Sequence, residues 1–131
     1  MSRGDGIHAA GAPRAVGHYP HARRVGNLLF LSGIGPRAPG TAAIPDGIQA
    51  QARAVLANVR AVLEASGCRW EDLVDVTVFL TDMARDFAAW NAVWAEHFPE
   101  AAKAPCRTTV GISALPTPID IELKCVAHLP V

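Results

Sequence analysis

The chain is short of cysteine, of net charge and of long apolar runs, and each shortage removes a class of protein. It has three cysteines, Cys68, Cys106 and Cys125, an odd count without CxxC spacing. That excludes a disulfide framework and favours reduced thiols in a cytoplasmic protein. Cys106 precedes Arg107, so on a strand it is expected to point to the other face, inward, as a structural thiol. Formal net charge is zero and the pI is about 7.0. Nothing in that balance favours a polyanion, so no nucleic acid is expected as partner. The apolar runs fall far short of the ~20 residues that span a bilayer, so no membrane partner is expected either. Met1 to Ala12 shows no signal-peptide apolar region and is rich in Gly and Ala, so residues 1–12 are expected to be flexible.

Catalytic motifs are scarce too. Five histidines occur, His8, His18, His21, His97 and His128, without HExxH or a Cys/His cluster, so no metal site is expected. Gly33-Ile34-Gly35-Pro36 lacks the Lys-Ser/Thr ending of a phosphate loop. There is no G-x-S-x-G elbow, no internal repeat and no low-complexity tract.

What is present suits one domain over 1–131. Hydrophobic residues make up 50% of the 131, enough for a core. Val25 to Ser32 reads as a hairpin around Gly26-Asn27. Gly33 to Gly47 is loop, with four glycines and three prolines. Asp46-Gly47-Ile48-Gln49 resembles a capping box, and Ala52, Val55, Leu56, Val59, Val62 and Leu63 follow as one helical stripe that Ser66-Gly67 stops. Leu73 to Leu80 is the strongest strand. Asp86 is expected to cap a second helix whose stripe is Phe87, Trp90, Val93, Trp94 and Phe98, ended by Pro99. The order β-β-α-β-α-β-β predicts an α+β fold, a mixed sheet with two helices on one face. The other face has no element to cover it, so self-association is expected.

Two tail segments alternate with period two. In Cys106-Arg107-Thr108-Thr109-Val110, Arg107 lies opposite Thr108 and Val110; in Ile119 to Lys124, Glu122 lies opposite Ile119, Ile121 and Leu123. If these strands pair, a guanidinium and a carboxylate flank one cleft suited to an organic acid and a moving proton. Each charge also has an ordinary surface reading, and Asp120 and Lys124 share Glu122's face as rivals. Tyr19, in Gly17-His18-Tyr19-Pro20-His21-Ala22, reads as a packed aromatic or a pocket wall. Trp90 and Trp94 read as core.

Taken together, Gly17-His18-Tyr19, Val25 to Gly33, Gln51 to Gly67, Asp72 to Asp82, Arg107 and Glu122 resemble the reactive-intermediate (imine/enamine) deaminase family, RidA- or YjgF-like. The resemblance spans about Ala15 to Ala127. It implies a chorismate-mutase-like α+β fold, a homotrimer with clefts between subunits, and hydrolysis of 2-imino acids or their enamine tautomers to 2-oxo acids and ammonia. It implies no metal or organic cofactor. By position, Arg107 is the carboxylate-binding arginine, Glu122 the water-positioning glutamate and Tyr19 the pocket tyrosine. Ser32 and Gly33 match a ligand-contacting pair. Arg107 and Glu122 are expected to face one cleft from one subunit, with Tyr19 and Ser32 from a neighbour or across the sheet.

Three positions depart from the family pattern: His18 replaces a proline, Ile34-Gly35-Pro36 replaces Gln-Ile-Pro, and Thr109 replaces a cysteine. The run Tyr19 to Arg24, with Arg107 to Val110 and Leu115-Pro116, looks closer to the 2-aminomuconate deaminase branch. Such a dicarboxylate invites a second cation, for which His21, Arg23, Arg24 and Arg37 are candidates. His18 is a candidate donor to the leaving nitrogen or a rim residue. A general 2-imino-acid deaminase and a non-catalytic ligand-binding trimer are the rival readings.

Overall fold

The computed structural model describes residues 6–130. Its order is β1 (Gly6–Ile7), β2 (Ala22–Val25), β3 (Leu28–Leu31), α1 (Ile48–Ala65), β4 (Leu73–Leu80), α2 (Met83–His97), β5 (Cys106–Gly111) and β6 (Ile121–His128). The fold is α+β, with two helices against one face of a mixed six-stranded sheet. One strand more than expected arises at the N-terminus. Gly6 and Ile7 pair with Arg23 and Ala22, and Ala9 and Ala12 are buried. Residues 6–12, expected to be flexible, thus include a paired strand and two buried alanines, while 1–5 lie outside the described residues.

Strand order is β1-β2-β3-β6-β4-β5, and only the β4–β5 pair is parallel. The helix α2 crosses over between β4 and β5, as a parallel neighbour requires. The tail strands thus do not pair: β4 lies between them. The β2–β3 hairpin turns at Gly26-Asn27, with Gly26 at φ 59°, where glycine is unstrained.

Helix α1 buries its expected stripe, with Gln51 and Asn58 added to it. Its start differs from expectation. Gly47, at φ 84°, holds the cap position, and no side chain caps the helix, so Asp46 and Gln49 form no capping box. Its end is a Schellman motif: Gly67 N–H donates to Glu64 O at 3.2 Å and Cys68 N–H to Leu63 O at 2.9 Å, with Gly67 at φ 80°. Helix α2 is capped by Asp82, whose carboxylate accepts from Arg85 N–H at 3.1 Å, not by Asp86. Asp86 lies inside the first turn, buried and doubly bonded by Arg85. It takes the inward position expected of Phe87, which is exposed.

The core forms where Leu29, Leu31, Val76, Val78, Leu80, Ile121, Leu123 and Cys125 meet Val55, Val59, Val62 and Trp90. The opposite sheet face carries Leu28, Phe30 and Val110, each more than a third exposed. Cys106 is exposed on that face, not inward, because Val76 and Arg107 occupy the helix-side register. Cys68 and Cys125 are buried, and burial pushes the Cys125 thiol up to about 12. No helix among the described residues is long and apolar enough to cross a membrane.

Candidate active site

Register decides where the two tail charges point. Arg107 pairs with Val76 and Thr109 with Val78, so both lie on the helix side of the sheet. Glu122 pairs with Phe79, which pairs in turn with Val110, so Glu122 lies on the open side. Within one chain the guanidinium and the carboxylate sit on opposite faces. The single-subunit cleft expected from their alternation is not formed.

Glu122 has its own cleft. Tyr19, Ser32, Gly33, Arg14 and Arg37 line it together with Glu122, and its volume is about 30 Å³. That space holds a water or two. The chain leaving β3 shapes it. Ile34 and Leu123 exchange backbone hydrogen bonds of 2.8 and 2.9 Å, which hold Gly33 beside the strand that carries Glu122. A Cβ at Gly33 would lie 2.8 Å from Glu122 Oε2, so a side chain there requires the carboxylate to move. Ser32 is anchored at both ends: its N–H donates to His21 O at 2.9 Å and its Oγ to Pro20 O at 2.7 Å. That ties it to the segment bearing Tyr19. Burial pushes the Glu122 carboxyl above its ordinary range. Among the described residues, none of the recorded hydrogen bonds or ion pairs ends on its carboxylate.

The rivals are occupied. Asp120 accepts from Gln51 Nε2 at 3.1 Å and meets Arg85 at 3.2 Å; Gln51 Oε1 also accepts from Asp120 N–H at 2.8 Å. Lys124 donates to the Leu31 carbonyl. Glu122 is the carboxylate left facing the cleft.

Arg107 is half-buried against α2. Its Nη2 donates to Asn91 Oδ1 at 2.7 Å, and its guanidinium lies 5.1 Å from the Trp94 ring and 5.9 Å from that of Trp90. Burial lowers its pKa, yet a guanidinium stays charged in water. Asn91 and the tryptophans hold the fork in place without an acid to neutralise it, which leaves its charge for a ligand. Thr109 neighbours it on the same face, and among the described residues neither Thr109 Oγ1 nor Trp90 Nε1, both buried, has a hydrogen-bond partner. The sequence marked the two tryptophans as core; Asn91 between them carried no signal.

The second-cation candidates separate clearly. His21 is buried, Ala9 N–H donates to its Nδ1 at 2.9 Å, and its Nε2 meets Pro13 O at 2.6 Å. It borders the Glu122 cleft, but both ring nitrogens are engaged, with Nε2 as the donor, so it clamps the N-terminal segment and has no ring N–H left for a ligand. Arg24 bonds Gly26 O at 3.3 Å on the hairpin. Arg23 and His18 line a neighbouring depression, outside the Glu122 cleft. Arg37 lines the cleft itself, joined by Arg14, which nothing in the sequence singled out. Among the described residues, no group of three or more His, Cys, Asp or Glu side chains is placed to hold a metal ion.

Two helices on one face of a mixed six-stranded sheet are the architecture of the RidA/YjgF class of small α+β proteins, whose solved structures this chain resembles. A sequence model described as Endoribonuclease L-PSP matches residues 9–129, and the chain belongs to this family. It is 43% identical over 126 residues to a RutC family protein of Synechocystis sp., covering 95% of each chain. It is 38% identical over 122 residues to the 2-iminobutanoate/2-iminopropanoate deaminase of Escherichia coli K12, covering 92% of this chain and 94% of that one. The crystal structure of RidA from Psychrobacter sp. PAMC 21119 superposes with a TM-score of 0.89 at 34% identity, covering 95% and 99% of the two chains.

Proposed function

We propose that this protein is a hydrolytic deaminase that converts 2-imino acids and their enamine tautomers to 2-oxo acids and ammonia. The observation that carries the reading is Glu122, a half-buried carboxylate without a recorded partner, pressed against Gly33 in a cleft sized for water. Names borne by relatives point the same way: one is a 2-iminobutanoate/2-iminopropanoate deaminase, another a Reactive Intermediate Deaminase A.

In this reading Arg107 grips the substrate carboxylate with two parallel N–H···O bonds. Tautomerisation of an enamine gives an electrophilic imine carbon. Glu122 takes a proton from water as the oxygen attacks that carbon and passes it to the nitrogen, giving a carbinolamine; it then takes the hydroxyl proton and delivers it to the nitrogen as the C=O bond forms, the C–N bond breaks and ammonia leaves. One water is consumed and no electron is transferred. A base of this kind contributes roughly 10²–10⁴-fold in rate. Because Arg107 and Glu122 lie on opposite faces, a complete site takes Arg107 from one copy and Glu122, Tyr19, Ser32 and Gly33 from another. The apolar open face supports such an assembly, and a homotrimer is the form proposed. Thr109 lines the Arg107 side, and His18 the outer rim of the Glu122 side.

Within the class, 2-aminomuconate is the particular substrate proposed, on the run Tyr19 to Arg24 and the arginines near the cleft. The reading treats 1–131 as one domain, acting in the cytoplasm where its three thiols stay reduced, with a small acid and not a nucleic acid as its target. The test generates imines with an amino-acid oxidase and follows their loss and ammonia release. Acceleration by the wild type and its absence in Glu122→Gln support the reading. Equal rates with and without protein, for imines and for 2-aminomuconate, overturn it.

A further inference from the structure

We propose that Arg14 and Arg37 form a second anion subsite at the mouth of the Glu122 cleft, selecting imino acids that carry a second carboxylate. This rests on the deaminase reading above and assigns the residues that hold the second carboxylate of such a substrate.

Placement comes first. Arg14 lines the Glu122 cleft and also two adjoining depressions, of about 870 and about 710 Å³. It therefore stands where the narrow cleft opens into space large enough for an organic ligand. Arg37 borders the cleft and the second of these depressions.

Charge comes second. Across the residues lining all three hollows, Glu122 is the one carboxylate, set against Arg14, Arg23 and Arg37. The chain as a whole has zero net charge, so this is local segregation. Elsewhere arginines meet acids: Arg53 meets Glu96 at 2.9 Å, Arg69 meets Asp72 at 3.1 Å, and Arg85 meets Asp86 at 2.8 Å. Among the described residues neither Arg14 nor Arg37 has an acidic partner.

The positions are also built. Buried Asn58, reaching from α1, donates both amide hydrogens, to Gly35 O at 2.8 Å and Arg37 O at 2.9 Å. Arg37 Nη2 then donates to Arg14 O at 2.9 Å, and His21 holds the preceding Pro13 carbonyl. Helix α1 thus fixes the loop after β3, and that loop fixes the backbone beneath Arg14. A guanidinium held by one backbone bond keeps its remaining donors for a planar anion. A substrate gripped at one carboxylate, with its reacting carbon at Glu122, would direct its far end to this arginine pair.

The test measures dissociation constants of two unreactive products, 2-oxobutanoate and 2-oxoglutarate, by calorimetry. It pairs them with hydrolysis of imines made in place from 2-aminobutanoate and glutamate. The wild type is expected to favour the dicarboxylate in both. Charge-assisted bonds of this kind are worth roughly tenfold or more each. Arg14→Ala and Arg37→Ala should each bring the ratio of the two constants about tenfold closer to unity, and Arg14→Glu should invert it. Arg14 is exposed, so its replacement does not endanger folding; Arg37→Lys keeps the charge and should keep part of the preference. A wild type that favours the monocarboxylate, or variants that leave the ratio unchanged, overturn the subsite. Retained discrimination with no acceleration of either imine or of 2-aminomuconate upholds the subsite and overturns the deaminase reading instead.

Discussion

Gly33 and Glu122 are in mutual contact to the point that no side chain fits between them: a Cβ on Gly33 would stand 2.8 Å from Glu122 Oε2 and 3.0 Å from its Cδ. The glycine is thereby a rest for the carboxylate. Gly33→Ala should push Glu122 aside while leaving the fold intact, since the clash is with a side-chain end. Displacements of about 1 Å at a reacting group cost on the order of 10²-fold. The expected result is that loss in kcat for imine hydrolysis, with Tm and 2-oxo acid binding close to wild type. A large fall in Tm would show that Gly33 serves the backbone and not the site.

Glu122 also sets a pH dependence. Burial raises its pKa above the ordinary 4.5, so the acid limb of the wild-type kcat/KM profile should lie above that value. The stability sign is opposite to that of a paired acid. The folded chain retains this proton where the unfolded chain has lost it, so stability drops as pH rises from 4.5 through the folded value. Glu122→Gln should therefore melt higher than wild type at neutral pH and equally at pH values below 4.5. Thermal scans across that range decide it.

The proposed site, divided between copies, is open to complementation. Arg107→Ala and Glu122→Gln should each be inactive alone. Unfolded together in equal amounts and refolded, they should regain about a quarter of wild-type activity, the chance that an interface joins one intact half from each in a cyclic assembly. Activity that never returns in the mixture would place both groups in one subunit's site.

His21 predicts stability more than catalysis. Truncation in His21→Ala leaves Ala9 N–H and Pro13 O without their partner in a buried setting. The expected cost is about 1–3 kcal/mol in urea unfolding. Proteolysis near residues 6–14 should speed up in parallel.

Much of this architecture was legible in local pattern. The α1 stripe, the Gly26-Asn27 turn and the β-branched run of β4 each obey one short-range rule, and the structure follows each. Failures occurred where a distant partner decided. Phe87 fits the helical stripe, yet Arg85 pairs with Asp86 and draws it inward instead. Asp46 has the chemistry of a cap, but the positive φ of Gly47 turns the chain before it can reach. Alternation correctly set Arg107 apart from Thr108 and Val110, and Glu122 apart from Ile121 and Leu123, but it turned β5 the wrong way round: Arg107 lies on the helix side and Cys106 on the open side. It said nothing of β4 coming between those strands, nor of the register that places the two charges on opposite sides of the sheet. Arg14 and Asn58 had no local signal at all, because their roles come from a loop folding back onto α1.

The opposed placement of Arg107 and Glu122 has a kinetic consequence. A lone chain carries both reactive groups and can use neither with the other. Specific activity should then fall on dilution, steeply once protein drops beneath the dissociation constant of the assembly. The sheet that separates the two groups would make catalysis a census of how many copies are present.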